Sequence, residues 1–291
     1  MPLIGAHMSI AGGYYKSVEL AAAAGCDCVQ LFTKNNNQWR AKPISAEEAR
    51  MFKHRLRELN ISHPIAHSSY LINLASPDNT LRDRSIEAMI EELRRADQLG
   101  ISGVVMHPGA YTTSSEEVGI VTISKSIDAI YDYFEKSNYP VKAKILLETT
   151  AGQGSHLGWR FEHLADIIKN CDHRPSIGVC LDTCHMFAAG YAMHDEQDYQ
   201  STIDKLLQSV GIRRIKAIHL NDSLKPFGSR LDRHAAIGEG EMGLEPFRHL
   251  LNDSRFAKVP MYLETPKGMR GNEDLDVINL RTLRGLISKR K

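Results

Sequence analysis

Six short apolar runs of this chain close on residues able to bind a metal. They are the run into His67, VVMHPG with His107, ILLETT with Glu148, VCLDTCH with Asp182 and His185, AIHLND with His219, and MYLET with Glu264. One such residue means little, since a hydrogen-bonded core histidine or glutamate explains it. Six at the same end of strand-like runs describe a ring of ligands around one mouth. Polar groups crowded unpaired into a low-dielectric mouth are costly, and a shared cation removes that cost. Imidazole with carboxylate suits zinc, manganese or iron.

Two local pairs add to the ring. In LDTCH, Asp182 and His185 stand three apart, so a strand end turning into a loop aims both at one site. In FGSRLDRH, Asp232 and His234 stand two apart, and an extended segment points both side chains the same way. Beside Arg230, Arg233 and GEGEMG, that segment reads as a site-building loop. The tally is nine candidate ligands: five His, two Glu and two Asp. A catalytic zinc takes about three protein ligands plus water, so nine suit two or three ions. Clustered ions with an open position point to hydrolysis, above all of phosphate esters.

Such a ring needs strands to carry it. Candidate strands cover 3–8, 28–33, 62–67, 103–107, 144–149, 177–182, 215–220 and 259–264, short and rich in Val, Ile and Leu. Helical patterns lie between them. VELAAAAG ends on Gly25, read as a C-cap, and SAEEARMFKHRLRELN opens with Ser45 and Glu48 at capping-box spacing. DRSIEAMIEELRRADQLG, SKSIDAIYDYFEKS, FEHLADIIKN, DKLLQSVG, EPFRHLLND and LDVINLRTLRGLISKRK complete the series. Eight strand–helix alternations predict an α/β fold, a (β/α)8 TIM barrel over residues 1–291 as a single domain. The alternative, an open doubly wound sheet, would carry a dinucleotide fingerprint. AGQGSHLG after Glu148 has neither GxGxxG nor a P-loop lysine and reads as a flexible loop at the mouth.

Composition is that of a soluble globular chain: 291 residues, 42% hydrophobic, 24% charged, net charge +1. No signal peptide is read at the N-terminus, and no apolar run approaches the ~20 residues of a membrane span. The five cysteines are odd in number and mostly in apolar surroundings, which fits a reducing, cytoplasmic setting. Cys180 and Cys184 flank Asp182 and are read as buried thiols. His7 is read equally as support for the ring or as core, and His54, His63, His163, His173, His194 and His249 as surface or structural. No Ser/His/Asp or Cys/His nucleophile stands out.

Two loops at the mouth have the chemistry of a nucleic-acid contact. TKNNNQWRAK offers amides, an exposed-looking Trp39, Arg40 and Lys42, and SSYLINLAS offers Tyr70, Leu71 and Ile72. An aromatic–aliphatic pair there suits wedging between bases, though packing back onto the barrel fits the composition equally. Lys225, Arg230, Arg233, Lys267 and Arg270 also fall on mouth loops and suit phosphates.

These motifs together resemble the endonuclease IV family of zinc-dependent apurinic/apyrimidinic endonucleases. The likeness runs nearly end to end, through IGAHMSIAGG, LFTKNNNQWR, HSSYLINLAS, HPG, ETTAGQGSHLG, CLDTCHMFAAGY, HLNDS, FGSRLDRHAAIGEGEMG and LETP. It implies three zinc ions. His67, His107 and Glu148 are assigned to one, and Glu148 bridges to a second held also by Asp182, His219 and Glu264. His185, Asp232 and His234 hold the third. Glu148 would position the attacking hydroxide. The implied reaction is hydrolysis of the phosphodiester 5′ to an abasic site in double-stranded DNA, leaving a 3′-OH and a 5′-deoxyribose phosphate. Removal of 3′ blocking groups is implied as well. Flipping the abasic sugar is cheap because no base is unstacked. Expected DNA contacts are Gln38, Arg40, Tyr70, Leu71, Arg230 and Arg233, made by a monomer without a membrane. One departure concerns the loop after the second strand. Where the family can carry a DNA-probing arginine, this chain has Asn35, Asn36 and Asn37. Two rival readings are a metal-dependent sugar isomerase of the same barrel type and a non-catalytic DNA-damage binding module.

Overall fold

A computed structural model describes residues 2–288. Its eight barrel strands are β1 (Ile4–His7), β2 (Cys28–Phe32), β3 (Ser62–His67), β4 (Gly103–Met106), β5 (Lys144–Glu148), β6 (Ile177–Asp182), β7 (Ile215–His219) and β8 (Met261–Leu263). All pair in parallel with their chain neighbours, and β1 closes the ring against β8 through Ile4 and Met261. The expected barrel is therefore the observed one.

Strand alternation explains how the ligands reach the mouth. Cys28, Ile65, Val105, Leu146, Cys180, Ala217 and Tyr262 form an apolar plug inside the barrel. Two residues further along each strand stand Gln30, His67, His107, Glu148, Asp182, His219 and Glu264. A period of two places both sets on the inner face, one layer above the other. The plug excludes water from below, so the polar layer rests on an apolar floor. On β1 the plug position is Gly5, where a Cβ would lie 1.9 Å from the Cys28 carbonyl oxygen. Only glycine lets β1 approach β2 that closely.

The outer helices are α1 (Tyr14–Ala24), α2 (Ala46–Glu58), α3 (Asn79–Leu99), α4 (Glu116–Lys136), α5 (Phe161–Asn170), α6 (Thr183–Ala189), α7 (Glu196–Ser209), α8 (Glu245–Asn252) and α9 (Leu275–Leu286). They bury Val18, Phe52, Leu93, Ile127, Leu164, Leu206, Phe247 and Leu283 against the strands. The Ser45–Glu48 capping box forms, and Gly25 closes α1 in the left-handed conformation. Helices α3 and α4 begin one turn or more before their apolar patterns, because Asp78 and Ser115 cap them earlier. The last residues of the expected C-terminal helix, 289–291, lie outside the described residues. No described helix is long and apolar enough to cross a membrane.

Candidate metal centre

Glu148 ends β5 fully buried, and its two oxygens face different partners. Oε2 lies 3.2 Å from His67 Nε2 and 3.3 Å from His107 Nε2. Oε1 lies 2.8 Å from His219 Nδ1 and 3.5 Å from His185 Nδ1. Asp182 ends β6 and does two things at once. Its Oδ1 accepts from the His185 backbone N–H at 2.8 Å, capping α6, and its Oδ2 accepts from Asn221 Nδ2 at 2.7 Å. The segment after Asp182 is therefore a helix where the sequence suggested a loop, and its first turn returns His185 to the mouth.

His234 lies on a two-residue strand, His234–Ala235, paired antiparallel with Asp222–Ser223. Between His185 and His234 stands Asp232, 3.1 Å from His185 Nε2 and 3.3 Å from His234 Nε2. Yet both nitrogens are buried without a hydrogen-bond partner. Two orphaned imidazole nitrogens converging on one carboxylate suit cation binding better than a finished hydrogen-bond network. The same holds of the donor set. Ligand atoms of His67, His107 and Glu148 lie within 4.8 Å of one another, as do those of Glu148, Asp182, His219 and Glu264. The third set is divided: His107, His185 and Asp232 form one such group, and Asp182, Cys184 and His234 another. Glu148 belongs to two groups, as a bridging ligand would.

Charges in the mouth are strongly coupled. Burial opposes ionisation of Glu148, but His219 and His107 hold its carboxyl well below the usual range. Burial likewise opposes the Asp232 charge, and His185 overcomes it. His185 is held well above the usual imidazole range against burial, chiefly by Asp182 and Asp232. Cys180 is buried in the plug and its thiol is pushed up to about 12 by burial, so it stays a thiol. All five cysteines are buried and unpaired.

Supporting residues escaped the sequence reading. Gln30 on β2 is fully buried and touches His7, His219 and Glu264. His7 takes the supporting role, 3.6 Å from Glu264 Oε1. Asn221 links Asp182 to the Glu264 backbone, whose N–H donates to Asn221 Oδ1 at 2.8 Å. Buried Asp222 accepts from the backbone N–H groups of Ser223, Gly238, Gly240 and Met242 at 2.7–3.0 Å. It thus folds GEGEMG beneath the hairpin that carries His234. The available signal was a polar residue interrupting CVQLF and a polar triplet following His219.

The rim residues divide. Tyr70 is 62% exposed, Leu71 half-buried and Ile72 buried, so one loop both presents an aromatic and anchors itself. Gln38, Arg40, Arg230 and Arg233 are exposed or half-exposed. Trp39 is half-buried rather than exposed: it packs on the outer core with the Arg84 guanidinium 4.2 Å from its ring. Lys267 and Arg270 are committed elsewhere, to Asp276 at 2.7 Å and to Glu239 at 2.8 Å. Arg230 lies over Trp159, 4.1 Å from the ring centroid. AGQGSHLG sits at the mouth but is tied down, with Leu157 N–H on the Gly109 carbonyl at 2.8 Å and Thr150 Oγ1 on the Leu157 carbonyl at 2.8 Å. Its glycines serve tight turns rather than freedom. Under the asparagine-rich loop, buried Lys34 reaches the Gln38 carbonyl at 2.7 Å and Glu92 at 3.2 Å.

A family model described as xylose isomerase-like TIM barrel matches residues 18–284. The chain is 49% identical over 289 residues to a probable endonuclease 4 of Chloroflexus aggregans, covering 99% of this chain and 98% of that one. It is 44% identical over 287 residues to a probable endonuclease 4 of Citrifermentans bemidjiense, covering 99% of each. The crystal structure of endonuclease IV from Thermus thermophilus superposes with a TM-score of 0.84 at 33% identity, over 98% of each chain. By sequence and by fold, the chain belongs to the endonuclease IV family of hydrolases within the xylose isomerase-like TIM barrels.

Proposed function

We propose that this protein is a DNA-repair endonuclease that hydrolyses the phosphodiester 5′ to abasic sites in double-stranded DNA, using three zinc ions. The products are a 3′-OH and a 5′-deoxyribose phosphate, and 3′ blocking groups are removed at the same site. The reading rests on nine buried or half-buried ligand residues converging on one mouth, in a chain so similar to proteins named endonuclease 4. His67, His107 and Glu148 would hold one ion, Glu148, Asp182, His219 and Glu264 a second, and His185, Asp232 and His234 the third. When bound, zinc supplies Lewis acidity toward phosphoryl oxygens and acidifies water.

The chain supplies the rest. Glu148 turns its two oxygens to different histidines and could serve two ions, and the apolar plug keeps bulk water from reaching the mouth from below. Tyr70, exposed and braced edge-on against Phe32 with ring centroids 5.6 Å apart, would stack on a base of the bound duplex. Arg230, held on Trp159, and Arg233, between Asp232 and His234, would offer positive charge to DNA phosphates. Gln38 and Arg40 project from the neighbouring loop. The protein acts as a monomer in the cytoplasm, since one barrel completes its own core and the thiols are unpaired.

The discriminating experiment is Glu148→Gln with metal analysis. Loss of zinc together with a fall in abasic-site incision of about 10²-fold or more is expected, the scale of losing a group that stabilises the transition state. Incision surviving at the full rate contradicts the site. Sugar epimerisation or isomerisation without incision restores the isomerase reading, and binding without cleavage by zinc-loaded protein restores the binding-module reading.

A further inference from the structure

We propose that Gln30 decides which nitrogen of His219 faces the metal, holding Nδ1 rather than Nε2 toward the carboxylates. This rests on the metal-centre reading above. Three of the candidate ligand histidines are oriented alike. The Nδ1–H groups of His67, His185 and His234 donate to the backbone carbonyls of Ser68 at 2.8 Å, Thr149 at 2.8 Å and Glu264 at 3.1 Å. Each is left with Nε2 for the site. His219 is turned the other way. Its Nδ1 lies 2.8 Å from Glu148 Oε1 and 3.1 Å from Glu264 Oε2, and its Nε2 lies 2.8 Å from Gln30 Oε1.

Distance alone assigns neither an amide orientation nor a tautomer. Here donor and acceptor rules assign both. An ionised carboxylate only accepts, so the Gln30 amide nitrogen must be the end that meets Glu264. Its second hydrogen goes to His7 Nδ1 at 3.0 Å. The amide oxygen is then turned to His219, and because it only accepts, His219 Nε2 must carry the hydrogen. Nδ1, which faces only the Glu148 and Glu264 carboxylates, would be the nitrogen that gives up its hydrogen and offers a lone pair to a bound cation. Gln30 therefore does for His219 what a backbone carbonyl does for the other three, and also fixes Glu264. An outer partner of this kind orients the ring and raises its basicity as a ligand. β2 lacks a ligand of its own because its inward residue serves those of β7 and β8.

Two variants test this. Gln30→Leu is of similar size and removes all three hydrogen bonds, to His7, Glu264 and His219. Gln30→Glu keeps an acceptor for Nε2–H but sets a carboxylate against Glu264. Long-range 1H–15N correlation spectra of zinc-loaded, histidine-labelled protein show which ring nitrogen is coordinated, and a chromophoric chelator reports the zinc release rate. In the unaltered protein His219 is expected to show coordinated Nδ1 and protonated Nε2. Gln30→Leu should lose that signature and release zinc about 10–100-fold faster. Gln30→Glu should keep the signature yet release zinc faster. The proposal is overturned if His219 coordinates through Nε2, or if Gln30→Leu leaves signature and release rate unchanged. If the unaltered protein retains no zinc after dialysis, the metal-centre reading itself falls.

Discussion

Replacing Glu92 with glutamine should expose how the loop after β2 is held. Glu92 is 1% exposed, its Oε1 lies 3.2 Å from Lys34 Nζ, and its Oε2 accepts from Thr33 Oγ1 at 2.6 Å. Arg95, equally buried, donates to the Thr33 carbonyl at 2.7 Å, the Tyr14 hydroxyl at 2.7 Å and the Lys42 carbonyl at 2.8 Å. Glu92→Gln keeps the shape and the hydrogen-bonding capacity but leaves the buried Lys34 ammonium without its counter-charge. Breaking a buried pair in this way costs about 3–5 kcal/mol, because the remaining charge is uncompensated. In a chain of this size that lowers Tm by about 5–8 °C. Urea unfolding at a fixed excess of zinc measures it, since metal linkage then contributes equally to both proteins. The double variant Lys34→Met with Glu92→Leu removes both charges and should recover most of the loss. DNA affinity should fall in Glu92→Gln with zinc content unchanged, because the Gln38 and Lys42 carbonyls are tethered by this network. A Glu92→Gln protein within about 1 kcal/mol of the original, or a double variant as unstable as the single, refutes the reasoning.

Three further outcomes are expected. In metal-stripped protein the raised His185 pKa adds stability that is fully present below about pH 6.5 and is lost as pH climbs through the folded value. The depressed Asp232 pKa adds stability present above about pH 4 and lost as pH falls through its folded value. The urea midpoint of chelator-treated protein should therefore drop as pH rises above about 6.5, and a rise would contradict these assignments. Tyr70→Ala should weaken binding of an abasic duplex by roughly 5–100-fold, the scale of one base–aromatic stack, with zinc content intact; unaltered fluorescence-anisotropy titrations would remove Tyr70 from the interface. Arg233→Ala should lower the salt dependence of binding by about one phosphate contact. Arg270→Ala should not, because Glu239 already holds that guanidinium, and equal slopes for both would contradict the division.

The barrel was legible because its signal is local. Each strand is a short apolar run, and the ligand at its end stands two residues beyond the plug residue, so a period of two marks both layers. Ser45 with Glu48 and Gly25 marked helix ends in the same local way. Helix α6 was hidden because CLDTCHMFAA continues an apolar run, and the capping role of Asp182 looks identical to a ligand role in sequence. Gln30 was hidden for a different reason: its partner His219 lies 189 residues away, and only barrel closure brings them together. Exposure on the rim was hardest to read. Trp39 and Tyr70 have similar polar neighbours, yet Arg84 on α3 covers one and solvent meets the other.

Metal-dependent cleavage at abasic sites is tested directly by one assay. An end-labelled duplex with a single abasic analogue is incubated with zinc-loaded protein, with chelator-treated protein, and with treated protein after zinc is restored. Incision immediately 5′ to the analogue, absent from the undamaged duplex, lost with the chelator and regained with zinc, is the expected result. No incision by the zinc-loaded protein, or incision indifferent to the chelator, would contradict it.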